Sequence, residues 1–257
     1  MNPKTLIAAD PGRKRMYVDM DNGFLEISEF FCDTIQGEGV NMGCPAAFLR
    51  FQGCVLDCGF CDTQEVWRFG NPYSFMELYE MMEHPEFDLI RKLRVGQHLV
   101  ITGGSPLKQQ FQLLSFIQGF VERYGFVPYI EIENECTIMP STLLTKYISC
   151  WNNSPKLINS GNSNAARFKF HVLQKLAALS NSWFKFVVSK QEDWDEIEVD
   201  FIKILLIKKS QIILMPQGAT REELERNRET VLNIAIEQGV RYSTREHVVI
   251  WDKKTGV

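Results

Sequence analysis

Three cysteines, Cys54, Cys58 and Cys61, stand four and then three residues apart in the run Gly53-Cys54-Val55-Leu56-Asp57-Cys58-Gly59-Phe60-Cys61-Asp62-Thr63. Thiolates are soft ligands that suit zinc or iron–sulfur clusters, and one short loop offering three of them reads as a ligand set. Structural zinc is normally closed by four protein ligands. The next histidine is His84 and the next cysteine Cys136, neither at zinc-finger spacing. A four-iron cubane held by three cysteines leaves one iron open to a small molecule, and the spacing favours that reading. A zinc knuckle completed by a distant residue, or a set of buried inert thiols, are the alternatives.

Other candidate groups lie on either side of the loop. Gln36-Gly37-Glu38-Gly39 follows an apolar stretch, and its glycines let backbone approach a ligand while Gln36 and Glu38 offer donors and acceptors. A solvated surface turn is the competing reading. Arg50, just before the cysteines, is either a surface charge or a bidentate clamp for a carboxylate beside the metal centre. Thr102-Gly103-Gly104-Ser105-Pro106 marks a tight strand-to-helix connection whose backbone groups can bind polar ligand atoms.

The elements that must position these groups alternate. Phe24–Ile35 reads as a strand, as do 46–51, 97–101, 127–132, 149–152, 184–188 and 211–215. Ser74 with Glu77 predicts a capping box for a helix to about Leu93, interrupted near Pro85. Further helices are expected over 107–124, with a core stripe of Phe111, Leu114, Ile117 and Val121, and over 140–148, 165–179, 192–204 and 220–238, the last stopped by Gly239. A final strand is expected over 240–251, carrying Arg241, Arg245 and His247. Such alternation implies right-handed βαβ units and a mainly parallel sheet, the pattern of a partial or full α/β barrel. Loops after barrel strands gather at one face, so the cysteine loop, 102–106, Glu133 and Met215-Pro216-Gln217-Gly218 are expected to converge there. No Gly-x-Gly-x-x-Gly follows the first strand, which disfavours a dinucleotide fold.

With 257 residues, 45% hydrophobic and 23% charged, the chain suits one large domain over 24–257 after a polar, loose extension over 1–23. No apolar run is long enough for a bilayer and no secretory segment opens the sequence, so a cytoplasmic protein is expected. Seven cysteines, an odd number, argue against a disulfide framework. A net charge of −4 gives no general attraction to nucleic acid or to anionic membrane, which favours a small-molecule substrate.

The cysteine spacing followed by Gly103-Gly104 resembles the radical S-adenosylmethionine (SAM) superfamily, whose fold is a partial α/β barrel. The flanks narrow the likeness. Thr34-Ile35-Gln36-Gly37-Glu38-Gly39, Phe48-Leu49-Arg50-Phe51-Gln52-Gly53-Cys54, Cys61-Asp62-Thr63, Ser154-Pro155-Lys156-Leu157 and the late Arg-x-x-x-Arg-x-His together resemble the 7-carboxy-7-deazaguanine synthase family of the queuosine pathway. The resemblance spans roughly Phe24 to Trp251. It implies a 4Fe–4S cluster, SAM and Mg2+ as cofactors, and a 6-carboxy-5,6,7,8-tetrahydropterin substrate that loses hydrogen from C6 to the SAM-derived radical. Ring contraction with loss of ammonia follows, and SAM is re-formed. An electron donor such as flavodoxin and a homodimer are also implied.

Residue by residue, the resemblance assigns the cluster to Cys54, Cys58 and Cys61 and the magnesium to Thr63, otherwise a helix N-cap. It assigns the pterin edge to Ile35, Gln36, Gly37 and Glu38, its carboxylate to Arg50, and flanking contacts to Thr102 and His247. Cofactor contacts fall on Phe60, Cys61, Asp62, Gly104, Glu133, Ser154, Pro155, Lys156 and the 215–218 segment, Met215, Pro216, Gln217 and Gly218. The chain departs from the family at Ser105, where the family carries a glutamate, across Asn134-Glu135-Cys136, and at Met215 in place of glutamine. All three departures lie on the SAM side, and Glu135 is a candidate to supply the carboxylate that Ser105 lacks. The same cysteine spacing occurs in radical SAM activases that act on a protein partner, and a non-enzymatic zinc or iron–sulfur module is the third reading.

Overall fold

The computed structural model describes residues 4–9 and 23–256. Among these, ten strands form one sheet: β1 (Lys4–Ile7), β2 (Phe24–Ile35), β3 (Pro45–Phe51), β4 (Asn71–Ser74), β5 (His98–Gly103), β6 (Ile130–Asn134), β7 (Cys150–Asn153), β8 (Ser182–Val188), β9 (Ile212–Pro216) and β10 (Arg241–Tyr242). The order is β1-β2-β3-β5-β6-β7-β8-β9-β10, with β4 also paired to β2. Every pairing from β3 onward along this path is parallel, and those made by β2 are antiparallel. The result is a partial α/β barrel.

Period-two alternation sorts each strand between two buried faces. In β3, Ala47, Leu49 and Phe51 join the helix-covered core, while Phe48 and Arg50 turn to the barrel interior. In β6, Ile130 and Ile132 enter the core and the intervening Glu131 is fully buried on the opposite face. In β8, Phe184, Phe186 and Val188 enter the core, and Lys185 and Val187 face the interior. Register extends the rule across the sheet, since Leu49 lies beside Ile101, Ile101 beside Ile132 and Ile132 beside Trp151. The next row places Arg50 between Glu29 and Thr102.

The Ser74 capping box forms as expected: its hydroxyl accepts from the Glu77 backbone and the Glu77 carboxylate accepts from the Ser74 N–H. The helix it begins ends at Glu83, and a second, Leu89–Arg94, follows the break around Pro85. The 220–238 helix is also present, with Thr220 as its cap and Gly239 in the left-handed conformation at its end.

Several expectations fail locally. The 140–148 helix is absent; that crossover holds only a single tight turn, Leu144–Lys146. Gln110 satisfies the backbone there instead, donating to the Met139 carbonyl (3.1 Å) and accepting from the Ser141 N–H (2.7 Å). Phe111 is 69% exposed, because the Gln110–Tyr124 helix buries a stripe through Leu113, Phe116, Ile117 and Phe120 that lies round the helix from it. The 165–179 helix is split into Asn164–Arg167 and Phe170–Ala177 by Phe168 and Lys169, which leave the helical region. The 192–204 helix widens to π-type turns over Ile197–Ile204. The 240–251 strand stops after Tyr242, and Arg245 and His247 instead introduce a helix, Glu246–Trp251. Its first N–H, that of Glu246, donates to the Gly37 carbonyl (2.8 Å), so a long-range contact fixes its start. The extension over 1–23 is not wholly loose, since Lys4–Ile7 pairs with β2; residues 10–22 lie outside the described residues.

Candidate active site

One cavity at the strand ends receives almost every group that the sequence nominates. Cys54, Cys58 and Cys61 line it on the loop after β3, together with Phe60, Asp62 and Thr63. Facing them are Ile35, Gln36, Gly37 and Glu38, then Arg50, Thr102, Gly104, Glu133, Ser154, Lys156, Met215, Pro216, Gly218 and His247. Pro155 and Gln217 are not part of the lining: the Gln217 N–H is tied to the Val188 carbonyl (2.9 Å) and its carbonyl accepts from Asn227.

The cysteine loop is held open by backbone proximity rather than by its own secondary structure. The Ser105 N–H donates to the Gly53 carbonyl (2.8 Å), and a Cβ on Gly104 would lie 2.3 Å from that oxygen and 2.5 Å from the Cys54 Cβ. Only glycine permits this approach. Each sulfur faces hydrogen-bond donors. Asn162 Nδ2 lies 3.2 Å from Cys58 Sγ, Trp67 Nε1 lies 3.5 Å from Cys61 Sγ, and the Leu56 N–H and Ser105 hydroxyl lie 3.4 and 3.5 Å from Cys54 Sγ. Donors aimed at sulfur suit thiolates that carry the charge of a cluster. All three thiols are free, so the residues present fit a three-cysteine cluster. Among the described residues no three Cys, His, Asp or Glu side chains stand at the spacing of a single ion; the corners of a four-iron cube are farther apart than that. Burial pushes the Cys58 thiol up in the protein without metal, and Lys156 opposes the shift.

Opposite the loop lies a buried charge network. Glu38 is paired with Lys185, with Arg245 Nε (2.9 Å) and more distantly with His247 Nε2 (3.7 Å), and Arg245 also pairs with Asp62. Burial alone would raise the Glu38 pKa, but Lys185, Arg245 and His247 outweigh it and hold the carboxyl well below its ordinary range. Asp62 is held low in the same way, Arg245 overcoming the cost of burial. Burial, helped by the Arg245 charge, drives His247 down to about 4, so it is neutral at pH 7. Glu133 moves upward because desolvation exceeds the pull of Lys185, and it accepts from the Thr102 hydroxyl (2.7 Å).

Gln36 is locked between carboxylates, its Nε2 donating to Glu131 (2.7 Å) and Glu133 (3.3 Å). Gln36 and Glu38 are 1% and 8% exposed, so the Gly-x-Gly turn is not a surface turn. A Cβ on Gly37 would lie 2.2 Å from His247 Nδ1, which makes glycine a condition of their contact. Arg50 reaches the cavity with Nε–H donating to Glu29 (3.0 Å). Thr63 stands at the cap position of the Gln64–Trp67 turn, yet its hydroxyl makes no cap bond.

Beside Arg50 and Lys156, the structure brings Lys185 into the cavity, a lone lysine in the apolar strand Ser-Trp-Phe-Lys-Phe-Val-Val. That interruption was a usable signal. Asn162 and Trp67 carried none, because their role depends on which sulfur they meet.

A three-cysteine cluster loop at the strand-end mouth of a partial, mostly parallel barrel defines a radical SAM protein, and a family model described as a 4Fe-4S single cluster domain matches residues 35–131. The 7-carboxy-7-deazaguanine synthase of Pyrobaculum aerophilum is 32% identical over 232 residues, covering 90% of this chain and 97% of that protein. The synthase of Halobacterium salinarum is 29% identical, covering 90% and 92% respectively. The chain belongs to the 7-carboxy-7-deazaguanine synthase family. Its fold is also that of QueE from Escherichia coli, with a TM-score of 0.64 at 23% identity over 87% of this chain and 95% of the other.

Proposed function

We propose that this chain converts 6-carboxy-5,6,7,8-tetrahydropterin to 7-carboxy-7-deazaguanine with loss of ammonia, as a radical SAM lyase with a 4Fe–4S cluster. The observation that carries the reading is that one cavity joins the cysteine loop to the buried Gln36-Gly37-Glu38 turn.

When bound, a 4Fe–4S cluster with SAM would supply the one-electron, radical chemistry that the reaction at C6 of the pterin needs. The protein's part is to bind and to orient. Cys54, Cys58 and Cys61 hold the cluster, while Phe60, Gly104, Ser154, Lys156 and the Met215-Pro216 end of β9 border the cofactor. Glu38, kept ionised by Lys185 and Arg245, accepts N–H groups from the amino-pyrimidinone edge, while Gln36, its amide committed to Glu131, Glu133 and the Glu38 N–H, holds the turn in place. Arg50 takes the substrate carboxylate with the terminal groups of its guanidinium, and the Thr63 hydroxyl, which makes no cap bond, would be one oxygen ligand of a magnesium ion. Neutral His247 closes the pterin side. The reading includes a one-electron donor such as flavodoxin and assembly as a homodimer.

The test is an anaerobic assay of the reconstituted protein with SAM, reductant and 6-carboxytetrahydropterin, read by mass spectrometry. 7-Carboxy-7-deazaguanine is the expected product. A colourless protein that takes up only zinc and consumes no SAM contradicts the reading.

A further inference from the structure

Glu135 is a buried acid that makes no close ion pair among the described residues. It follows β6, is 5% exposed and lines the cavity beside the cysteine loop. Its position is fixed on both sides. Asn134 accepts from the Cys136 N–H (3.1 Å) with Cys136 in the left-handed conformation (φ 68°), and the Asn134 carbonyl accepts from the Ser154 N–H (2.7 Å). One carboxylate oxygen, Oε1, accepts from the Thr137 hydroxyl (2.5 Å). The other, Oε2, is buried without a hydrogen-bond partner. Among the groups that act on Glu135, Lys156 is the cation and ranks last, its ammonium being bonded to Ser154 (2.9 Å). Burial accordingly drives the Glu135 carboxyl upward.

A buried carboxylate oxygen without a partner is costly unless a ligand cation meets it. Ser105 links this acid to the cluster loop: its hydroxyl favours the ionised form of Glu135 and lies 3.5 Å from Cys54 Sγ. A cation bound here therefore sits next to a cluster ligand. We propose that Glu135 Oε2 accepts the α-ammonium group of SAM and so fixes the amino-acid end of the cofactor beside Cys54. The assignment rests on the radical SAM reading above. A primary amine has several N–H donors, which suits one free carboxylate oxygen, whereas a hard divalent ion needs a shell of oxygens that this corner does not offer.

The test measures binding rather than turnover, on the anaerobically reconstituted holoenzyme. The probes are S-adenosylhomocysteine and its deaminated counterpart, in which hydrogen replaces the α-amino group. The wild-type protein is expected to bind the amine form about tenfold or more tightly over the deaminated form, as one charge-assisted hydrogen bond provides. Glu135→Gln removes that preference, weakening S-adenosylhomocysteine about tenfold while the deaminated compound changes less than about twofold. Equal weakening of both compounds, or an unchanged preference, overturns the assignment. If Glu135→Gln does not retain its iron, the same comparison is made with Glu135→Asp, which keeps the charge but draws it back. A loss confined to the amine form supports the proposal, and an equal loss overturns it. A wild-type protein that binds neither nucleoside overturns the cofactor reading itself, a result separate from loss of amine selectivity alone.

Discussion

Lys185 on β8 donates to Glu38 in the Gly-x-Gly turn, an ion pair between residues 147 apart in sequence and both almost wholly buried. The pair has a second function beyond holding two segments together. It keeps ionised, in the wall of the cavity, a carboxylate that burial alone would protonate.

Replacing Lys185 with methionine leaves Glu38 dependent on the Arg245 guanidinium. Breaking a buried pair from one side typically costs about 3–5 kcal/mol, and the remaining partner lowers the expected loss to about 2–3 kcal/mol. Urea denaturation measures that loss. Pterin binding should weaken more than SAM binding; an unaffected pterin KM counts against the Glu38 role.

Arg50→Ala should weaken pterin binding by about 2–5 kcal/mol, the range for a desolvated charge pair, with far less effect on SAM. The variant also leaves Glu29, 5% exposed, without its guanidinium, so stability is measured alongside. Equal losses for both ligands contradict a role specific to the substrate carboxylate.

Gly104→Ala should prevent cluster assembly, because the new methyl meets the Gly53 carbonyl and the Cys54 Cβ well inside contact distance. Iron content and absorbance near 400 nm after anaerobic reconstitution give the readout. Normal loading of this variant would mean that the loop can move away from β5 without losing its ligand geometry.

Asn162→Ala removes a donor 3.2 Å from Cys58 Sγ. Hydrogen bonds to ligating sulfur stabilise the reduced, more negative cluster, so the midpoint potential should become more negative. A redox titration followed by electron paramagnetic resonance detects the change, and an identical potential rules the contact out as a tuning element.

His247 gives the native state a pH dependence of known sign. Its pKa falls from 6.5 to about 4, so the unfolded chain takes up a proton first as pH drops. Stability therefore declines between about pH 6.5 and 4 by up to about 3 kcal/mol, and this contribution levels off below 4. The groups around it are Arg245, Glu38, Asp62 and Lys185. The two depressed carboxyls lose their contributions lower still, as pH falls through their native values. His247→Gln should flatten the decline between pH 6.5 and 5 in chemical denaturation; parallel curves for the two proteins would contradict the assignment.

The strand sequence and the cysteine loop were legible in the chain because they depend on local spacing. Most strands fell within a few residues of their observed bounds, and the Ser74 box needed only residues three apart. The interior was harder to read. In β8 the alternation marks a strand, but both faces are buried, and a single sequence does not say which one meets ligand. Lys185 went unassigned for that reason. At the C-terminal end, the β-branched run after His247 looks extended on its own terms, and a hydrogen bond to Gly37 turns it into a helix. The 140–148 crossover failed for a related reason, since Gln110 from another element takes over the backbone bonds that a helix would have made.

Arg245 bridges Glu38 and Asp62, and it lies 183 residues after Asp62. On the ribosome, the cysteine segment and the Gly-x-Gly turn emerge long before the guanidinium that joins them. The nascent chain thus carries its three cysteines for most of its synthesis before the Arg245–Asp62 contact can form. Gly53, Ser105 and Asn162 shape the loop before that contact forms, so truncation before Arg245 should weaken retention of iron after reconstitution rather than abolish the loop.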